Sequence, residues 1–199
     1  MGKIVVCKEV QSLLGRNQQR PSFTIEGVRK IASELFGVEG AIRELPSERD
    51  QNFRITTESG ADFVLKISAS SEDLTVLDLQ NKAMLHITQK GYAACPVPIS
   101  SKSNELIAVV TDSAGQKHFV RLLSYLSGRL LANINPHSKQ LLQNFGKFMG
   151  RVSHSLKDFK HPAAQRDFYW DLKNSASVVR QHKDLIADEK EQEIVNHFL

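Results

Sequence analysis

"ADFVLKIS", residues 61–68, alternates its side chains at the period of a β-strand. Phe63, Leu65 and Ile67 fall on one face and Asp62, Val64, Lys66 and Ser68 on the other, because successive strand residues point to opposite sides of a sheet. Lys66 is the informative member. On an antiparallel strand with one wet face it is a solvated side chain; on a strand that lines a cleft it is a cation aimed at something negative. The surrounding segments decide between these two readings.

Working outward, 51–57 reads as a second strand joined to 61–68 by "ESG" (58–60), where Gly60 can take a positive φ, so the pair forms a β-hairpin. A third candidate strand covers 40–45. Before them, "PSFTIEGVRKIASELFGV" (21–38) places Val28, Ile31, Ala32, Leu35 and Phe36 at helical spacing, with Ser22 or Thr24 as N-cap. After the hairpin, 72–90 repeats Leu77, Gln80, Met84 and Ile87 at steps of three and four and stops at Gly91. "CPVPIS" (95–100) reads as an extended connector, since Pro96 and Pro98 lack donors and bias the preceding residue away from helix. A second hairpin follows, "ELIAVVT" (105–111), the turn "DSAGQ" and "KHFVRLLSYL" (117–126). From Pro136 onward the pattern is helical, over about 138–157, 165–181 and 187–199, with "FKHPAAQ" (159–165) as a break. This order predicts an α+β fold: a five-stranded antiparallel sheet with one packed helix, followed by a helical lobe.

Composition narrows the partners. The chain has 199 residues, 41% hydrophobic and 24% charged, with a net charge of +4. That is the profile of an ordinary globular protein with a real core. The 26 Lys and Arg are dispersed rather than massed, which argues against a nucleic-acid partner. No apolar run approaches the roughly 20 residues that cross a bilayer, and the first residues lack a long apolar segment with a cleavage site, so the expectation is a cytoplasmic protein without a membrane partner. Cys7 and Cys95 are the only cysteines and have no ligand-spaced neighbours, so a disulfide or zinc site is not expected. There is no internal repeat and no low-complexity tract.

Several segments stand in a telling order: "LPSERDQNFRI" (45–55), "FVLKI" (63–67), "QNKAMLHITQKGYAACPVP" (80–98), "VRLLSYLSGRLL" (120–131), "FMGRVSHSL" (148–156) and "FYWDLKN" (168–174). Their sequence and spacing over residues 22–180 resemble the aminoglycoside phosphotransferase and choline kinase superfamily, particularly its hydroxylysine kinase and homoserine-kinase-like branch. The resemblance implies a protein-kinase-like fold, with an N-terminal extension at 1–21, an ATP-binding lobe at 22–126 and the start of a helical C-terminal lobe at 127–199.

It also implies roles. Lys66 would reach the ATP phosphates and Val64, on the same face, would lie against the adenine ring. The turn "PSERDQN" (46–52) takes the place of a phosphate-covering loop, with Ser47, Arg49, Gln51 and backbone N–H groups as donors; the competing reading is a solvated hairpin turn. The fold normally pairs the strand lysine with a helix glutamate. Here that residue is missing, leaving Asp78, shorter by one methylene, or the uncharged Gln80; Asp78 is equally at home as an exposed helix charge. Ser124, Tyr125 and Leu126 fall at the hinge where backbone groups read adenine, with Gly128 turning the chain onward. His154 falls at a position that is structural in the family. Tyr169 and Trp170 suit a core anchor better than a substrate wall.

The family's catalytic loop, His-Gly-Asp followed by Asn, and its later Asp for Mg2+ have no counterpart in these 199 residues. "HSLKDF" and "QHKDL" carry His and Asp within helical patterns. The helical pattern also runs through "EIVNHFL" without a stop. The expectation is therefore the amino-terminal part of a longer ATP-dependent kinase acting on a small-molecule acceptor, inactive on its own, with metal ligands and catalytic residues elsewhere. Fusion to further domains, such as an aminotransferase-like one, occurs in the family. Two rivals remain open: a non-catalytic kinase-like regulatory module, and an unrelated α+β binding domain.

Overall fold

The computed structural model describes residues 20–166 and 171–199. The chain divides into two compact units, Met1–Lys160 and His161–Leu199. Cys7, Tyr169 and Trp170 lie outside the described residues.

The first unit begins with helix α1 (Ile25–Ile31), where Thr24 Oγ1 accepts from Gly27 N at 3.1 Å and so satisfies one of the free amides of the first turn. Of the two N-cap candidates, it is Thr24 that caps. The helix widens into a π-helical turn (Ala32–Phe36). Strands β1 (Ala41–Leu45), β2 (Gln51–Thr56) and β3 (Asp62–Ile67) follow as an antiparallel meander. The tight turn between β2 and β3 needs a left-handed residue, and Gly60 supplies it at φ 83°. Helix α2 (Leu74–Lys90) is capped by Asp73, whose carboxylate accepts from Thr75 N at 2.8 Å, and ends at Gly91. Strands β4 (Pro98–Ile99), β5 (Ala108–Thr111) and β6 (Lys117–Ser124) complete the sheet, and helix α3 (Lys139–Ser155) ends this unit.

The sheet order is β1-β2-β3-β6-β4, with β5 also paired to β6. All pairings are antiparallel. The α+β architecture is as the pattern predicts, with two corrections. First, there are six strands rather than five: Pro98 and Ile99, read as connector, pair with Leu123 and Leu122. Proline lacks a donor for an inner ladder but is tolerated on an edge strand. A two-residue strand is also too short to show a period. Second, the sheet packs helix on both faces. Its main apolar core lies against α1, where Val28, Ile31, Ala32 and Phe36 meet Phe53, Ile55, Leu65, Ile67, Val120 and Leu122. Helix α2 meets the opposite face, which is more polar.

In the second unit a 3-10 turn (Leu172–Asn174) leads into α4 (Ser175–His182), and Asp188 caps α5 (Glu189–His197) by accepting from Glu191 N at 3.0 Å. No helix among the described residues is long and apolar enough to cross a membrane.

Since Phe53 is fully buried between sheet and α1, Phe53→Ala should destabilise the protein by about 3–5 kcal/mol in urea unfolding. Val109→Ala, at an exposed position on β5, should shift stability by no more than about 0.5 kcal/mol.

Candidate functional site

Strand alternation gives the sheet a back, filled by the α1 core, and a front. On the front face Asn52 and Arg54 of β2, Asp62, Val64 and Lys66 of β3, and Arg121 and Leu123 of β6 stand in register, with Asn52, Lys66 and Arg121 forming one row across three strands. Lys66 is therefore not a bulk-solvent lysine: its side chain is only 23% exposed. Its ammonium donates to Asn52 Oδ1 at 2.9 Å and lies 3.7 Å from Asp50 Oδ2. Burial lowers its pKa from the ordinary lysine value; Asp50 opposes that shift and Arg121 adds to it.

Arg121 is the least expected member of this face. It is 2% exposed, yet its hydrogen-bond acceptors are all neutral: Gln80 Oε1 at 2.8 Å, Asn81 Oδ1 at 3.1 Å and the Leu77 carbonyl at 3.5 Å. Its Nε is buried without a partner among the described residues. Burial disfavours its charged form, with Asp50 and Glu72 opposing, but a guanidinium stays protonated in a protein. Helix α2 thus docks on the sheet through amide-to-guanidinium bonds.

Asp78 and Gln80, the two candidates to pair with Lys66, do not reach it. Asp78 binds Lys82, four residues on, at 2.7 Å. Gln80 serves Arg121. The carboxylate beside Lys66 comes instead from the β1–β2 turn, as Asp50.

The other turn residues divide. Arg49 pairs with Glu72 at 3.3 Å, and Asp50 Oδ1 accepts from Ala69 N at 3.3 Å, so the turn is fastened to the loop that enters α2. Ser47 lies half-buried in the same turn. Gln51 does not share the face of Lys66: it points to the back face, where its amide accepts from Phe23 N at 2.8 Å and donates to Phe23 O at 3.0 Å. Its alternation with Phe53 and Ile55 carried that signal.

Toward the other end of the front face, Val64 stands opposite Arg54 and Leu123. Arg54 makes a two-pronged bond to Asp62 at 3.0 and 2.6 Å, and its guanidinium lies 4.3 Å from the centre of the Tyr125 ring. Ser124, Tyr125 and Leu126, expected at a hinge, differ in what their backbone binds. Ser124 N donates to Val97 O and Tyr125 N to Asp62 O, at 2.9 and 3.1 Å. The Leu126 amide has no partner among the described residues. Cys95 is a half-buried thiol whose pKa burial pushes up. His154 faces the Tyr92 ring at 5.4 Å, away from this row.

Sequence reasoning missed Arg121, Asp50, Asn52, Arg54 and Asp62. Arg121 did carry a signal, an ionisable residue inside the apolar run "FVRLL", of the same kind that drew attention to Lys66.

The strand order, the inserted helix and the lysine on the third strand define a kinase-like α+β fold. The chain belongs to the APH phosphotransferase enzyme family, whose model matches residues 41–197. It is 28% identical over 196 residues to hydroxylysine kinase of Mus musculus, covering 90% of this chain and 52% of that protein. With hydroxylysine kinase of Danio rerio it shares 30% over 192 residues, covering 92% and 53%. The chain thus spans about half the length of the curated relatives it matches. Among solved structures, an amicoumacin kinase in complex with AMP-PNP, Ca2+ and Ami superposes with a TM-score of 0.62 at 20% identity, over 81% of this chain and 52% of that one. A microcompartment-associated aminopropanol kinase gives 0.59 at 11%, over 76% and 46%.

The far end of α2 is tied separately. Lys90 Nζ lies 2.6 Å and His86 Nε2 3.0 Å from the two oxygens of Asp158, just after α3. These bonds, Lys90 foremost, hold the Asp158 carboxyl down at about 2. A depressed carboxylate contributes stability that is full above its unfolded pKa, about 3.9, and is lost as pH falls toward 2. The unfolding midpoint of the wild type should therefore drop across this window more than that of Asp158→Asn, when both are followed by circular dichroism.

Proposed function

We propose that this chain is the nucleotide-binding portion of a small-molecule kinase, which moves the γ-phosphoryl group of ATP to a hydroxyl of an amino-containing metabolite of the hydroxylysine, homoserine, choline or aminoglycoside type. In this reading residues 22–126 form the nucleotide lobe and 127–199 begin the lobe that carries the acceptor. The observation that carries the proposal is Lys66, a restrained cation on the front of the sheet, with a Leu126 amide that has no partner among the described residues just past the far end of β6. β3 meets the hinge at Phe63, opposite Ser124. Three residues of strand separate that point from Lys66, roughly 10 Å at about 3.3 Å per residue, which suits the distance from an adenine ring to its outer phosphates. Val64, between the two ends, supplies an apolar floor for the base.

The chain's residues then divide the work. Leu126 N–H donates to the base, and Lys66 Nζ donates to phosphate oxygens and offsets the charge that gathers there during transfer. Arg49 and Ser47, on the turn above, reach the same phosphates. Positioning and charge neutralisation supply most of the catalysis in such transfers. When bound, a divalent cation would help neutralise the phosphate charge; no His, Cys, Asp or Glu group among the described residues is arranged to hold one, and no step here runs through it. The names of the relatives, hydroxylysine kinase and aminopropanol kinase, both denote acceptors with an amine and a hydroxyl, which supports that acceptor class.

A second reading is a non-catalytic kinase-like module. It is favoured by one observation, that no carboxylate of α2 meets Lys66. Titration calorimetry and a phosphorylation assay separate the readings. The 199-residue chain should bind ATP without turnover, and Lys66→Met should weaken ATP by about 10- to 100-fold, since a bond to a charged group contributes about 1.5–3 kcal/mol. A protein containing the downstream half of its relatives should phosphorylate an amino alcohol if it is a kinase, and should not if it is a module. ATP affinity that Lys66→Met leaves unchanged would remove the basis of the first.

A further inference from the structure

The neighbours of Lys66 are arranged so that one side attracts it and the other repels it. Toward β2 lie Asn52 Oδ1 at 2.9 Å and Asp50 Oδ2 at 3.7 Å. Toward β6, directly opposite in the register, stands Arg121, a second cation that α2 holds with neutral groups alone. An ammonium between a carboxylate and a guanidinium is driven toward the carboxylate, although Asp50 and Glu72 also bear on Arg121 from a distance.

Asp50 is in turn well fixed. Its Oδ1 accepts from Ala69 N at 3.3 Å, its backbone carbonyl accepts from Arg20 Nε at 3.1 Å, and its own side chain is only 22% exposed. The preceding residue, Arg49, is bound to Glu72. The carboxylate is therefore presented by the turn and by the loop entering α2, not by α2 itself.

We propose that Asp50, assisted by Asn52, is the positioning residue that holds Lys66 for a polyphosphate, and that Arg121 fixes the side from which the lysine is held. This rests on the nucleotide reading above. The turn at 46–52 and Lys66 then form one unit, whereas the row Gln80, Asn81 and Arg121 fastens helix to sheet without touching the ammonium. A competing role has the opposite sign: Asp50 merely occupies Lys66 until a phosphate arrives and repels that phosphate. The charged groups that bear on Lys66 are Asp50 and Arg121; because Asp50 also bears on Arg121, the titration of Lys66 itself is followed beside ATP affinity.

Asp50→Asn removes the charge and keeps an oxygen for Ala69 N. If Asp50 positions Lys66, this variant weakens ATP by about tenfold, the scale of one charge-assisted contact, and leaves AMP, which lacks the outer phosphates, unchanged. It also lowers the Lys66 pKa, measured by NMR titration of 13C-labelled lysine with Lys66→Arg assigning the signal. Tighter ATP binding by Asp50→Asn, equal losses for ATP and AMP, or an unmoved Lys66 pKa would each overturn the proposal. If the wild-type chain binds neither nucleotide, the nucleotide reading fails; the titration in Asp50→Asn then still decides whether Asp50 holds the lysine.

Discussion

Two cations on neighbouring strands cannot both be buried beside each other without something to keep them apart, and the front of this sheet is organised around that constraint. Arg121 is deep and Lys66 shallower. The deeper cation takes its acceptors from one turn of α2, whose Leu77 carbonyl and whose Gln80 and Asn81 side chains fall on the same side of the helix by their three- and four-residue spacing. A buried guanidinium left without acceptors is strongly unfavourable, so this demand sets which face of α2 meets the sheet. Among the described residues, the shallower cation is then drawn toward Asn52 and the Asp50 carboxylate of the β1–β2 turn. Helix docking and lysine orientation, commonly served by one lysine–carboxylate pair in kinase-like folds, are here carried by two sets of groups.

The back of the sheet answers to a different demand. There α1, Phe53, Ile55, Leu65, Ile67, Val120 and Leu122 exclude water almost completely, and that apolar layer is what lets the front remain polar. A sheet needs only one well-packed face to hold its strands in register. Gln51 shows where the two demands meet: it sits at the margin of the apolar layer and closes it by binding both backbone groups of Phe23, the residue through which the chain enters α1.

What could be read from the sequence was whatever repeats locally. The alternation in 61–68 placed Lys66 on the face away from Phe63, Leu65 and Ile67. The three- and four-residue steps and Gly91 gave α2, and Gly60 gave the hairpin. Cross-strand neighbours do not repeat locally. Nothing in "VRLL" states that Arg121 will stand opposite Lys66, because that depends on the register between strands more than 50 residues apart. Nor does "SERD" state that Asp50 rather than a helix residue will lie beside the ammonium. Gln51 was legible and misassigned: its turn-like neighbourhood suggested a phosphate donor, while its two-residue spacing from Phe53 already put it with the core. Pro98 shows the reverse limit, since a proline's missing donor argues against a strand only where both edges must pair.

The proposed hinge follows the same edge logic. A strand end can read a base through its backbone only where the ladder has stopped using that backbone. Ser124 and Tyr125 are still in the ladder, bound to Val97 and Asp62, so the first amide to escape it is that of Leu126. The escape point is set by how far β3 and the segment before β4 extend along β6, and Asp62 marks the limit on the β3 side. Asp62 also anchors Arg54 beneath the Tyr125 ring. One residue thus ends the pairing and braces the segment where pairing ends. The position of the free amide is in this way tied to the strand that carries Lys66, and the two ends of the front face stay at a fixed separation because they are read off the same β-strand.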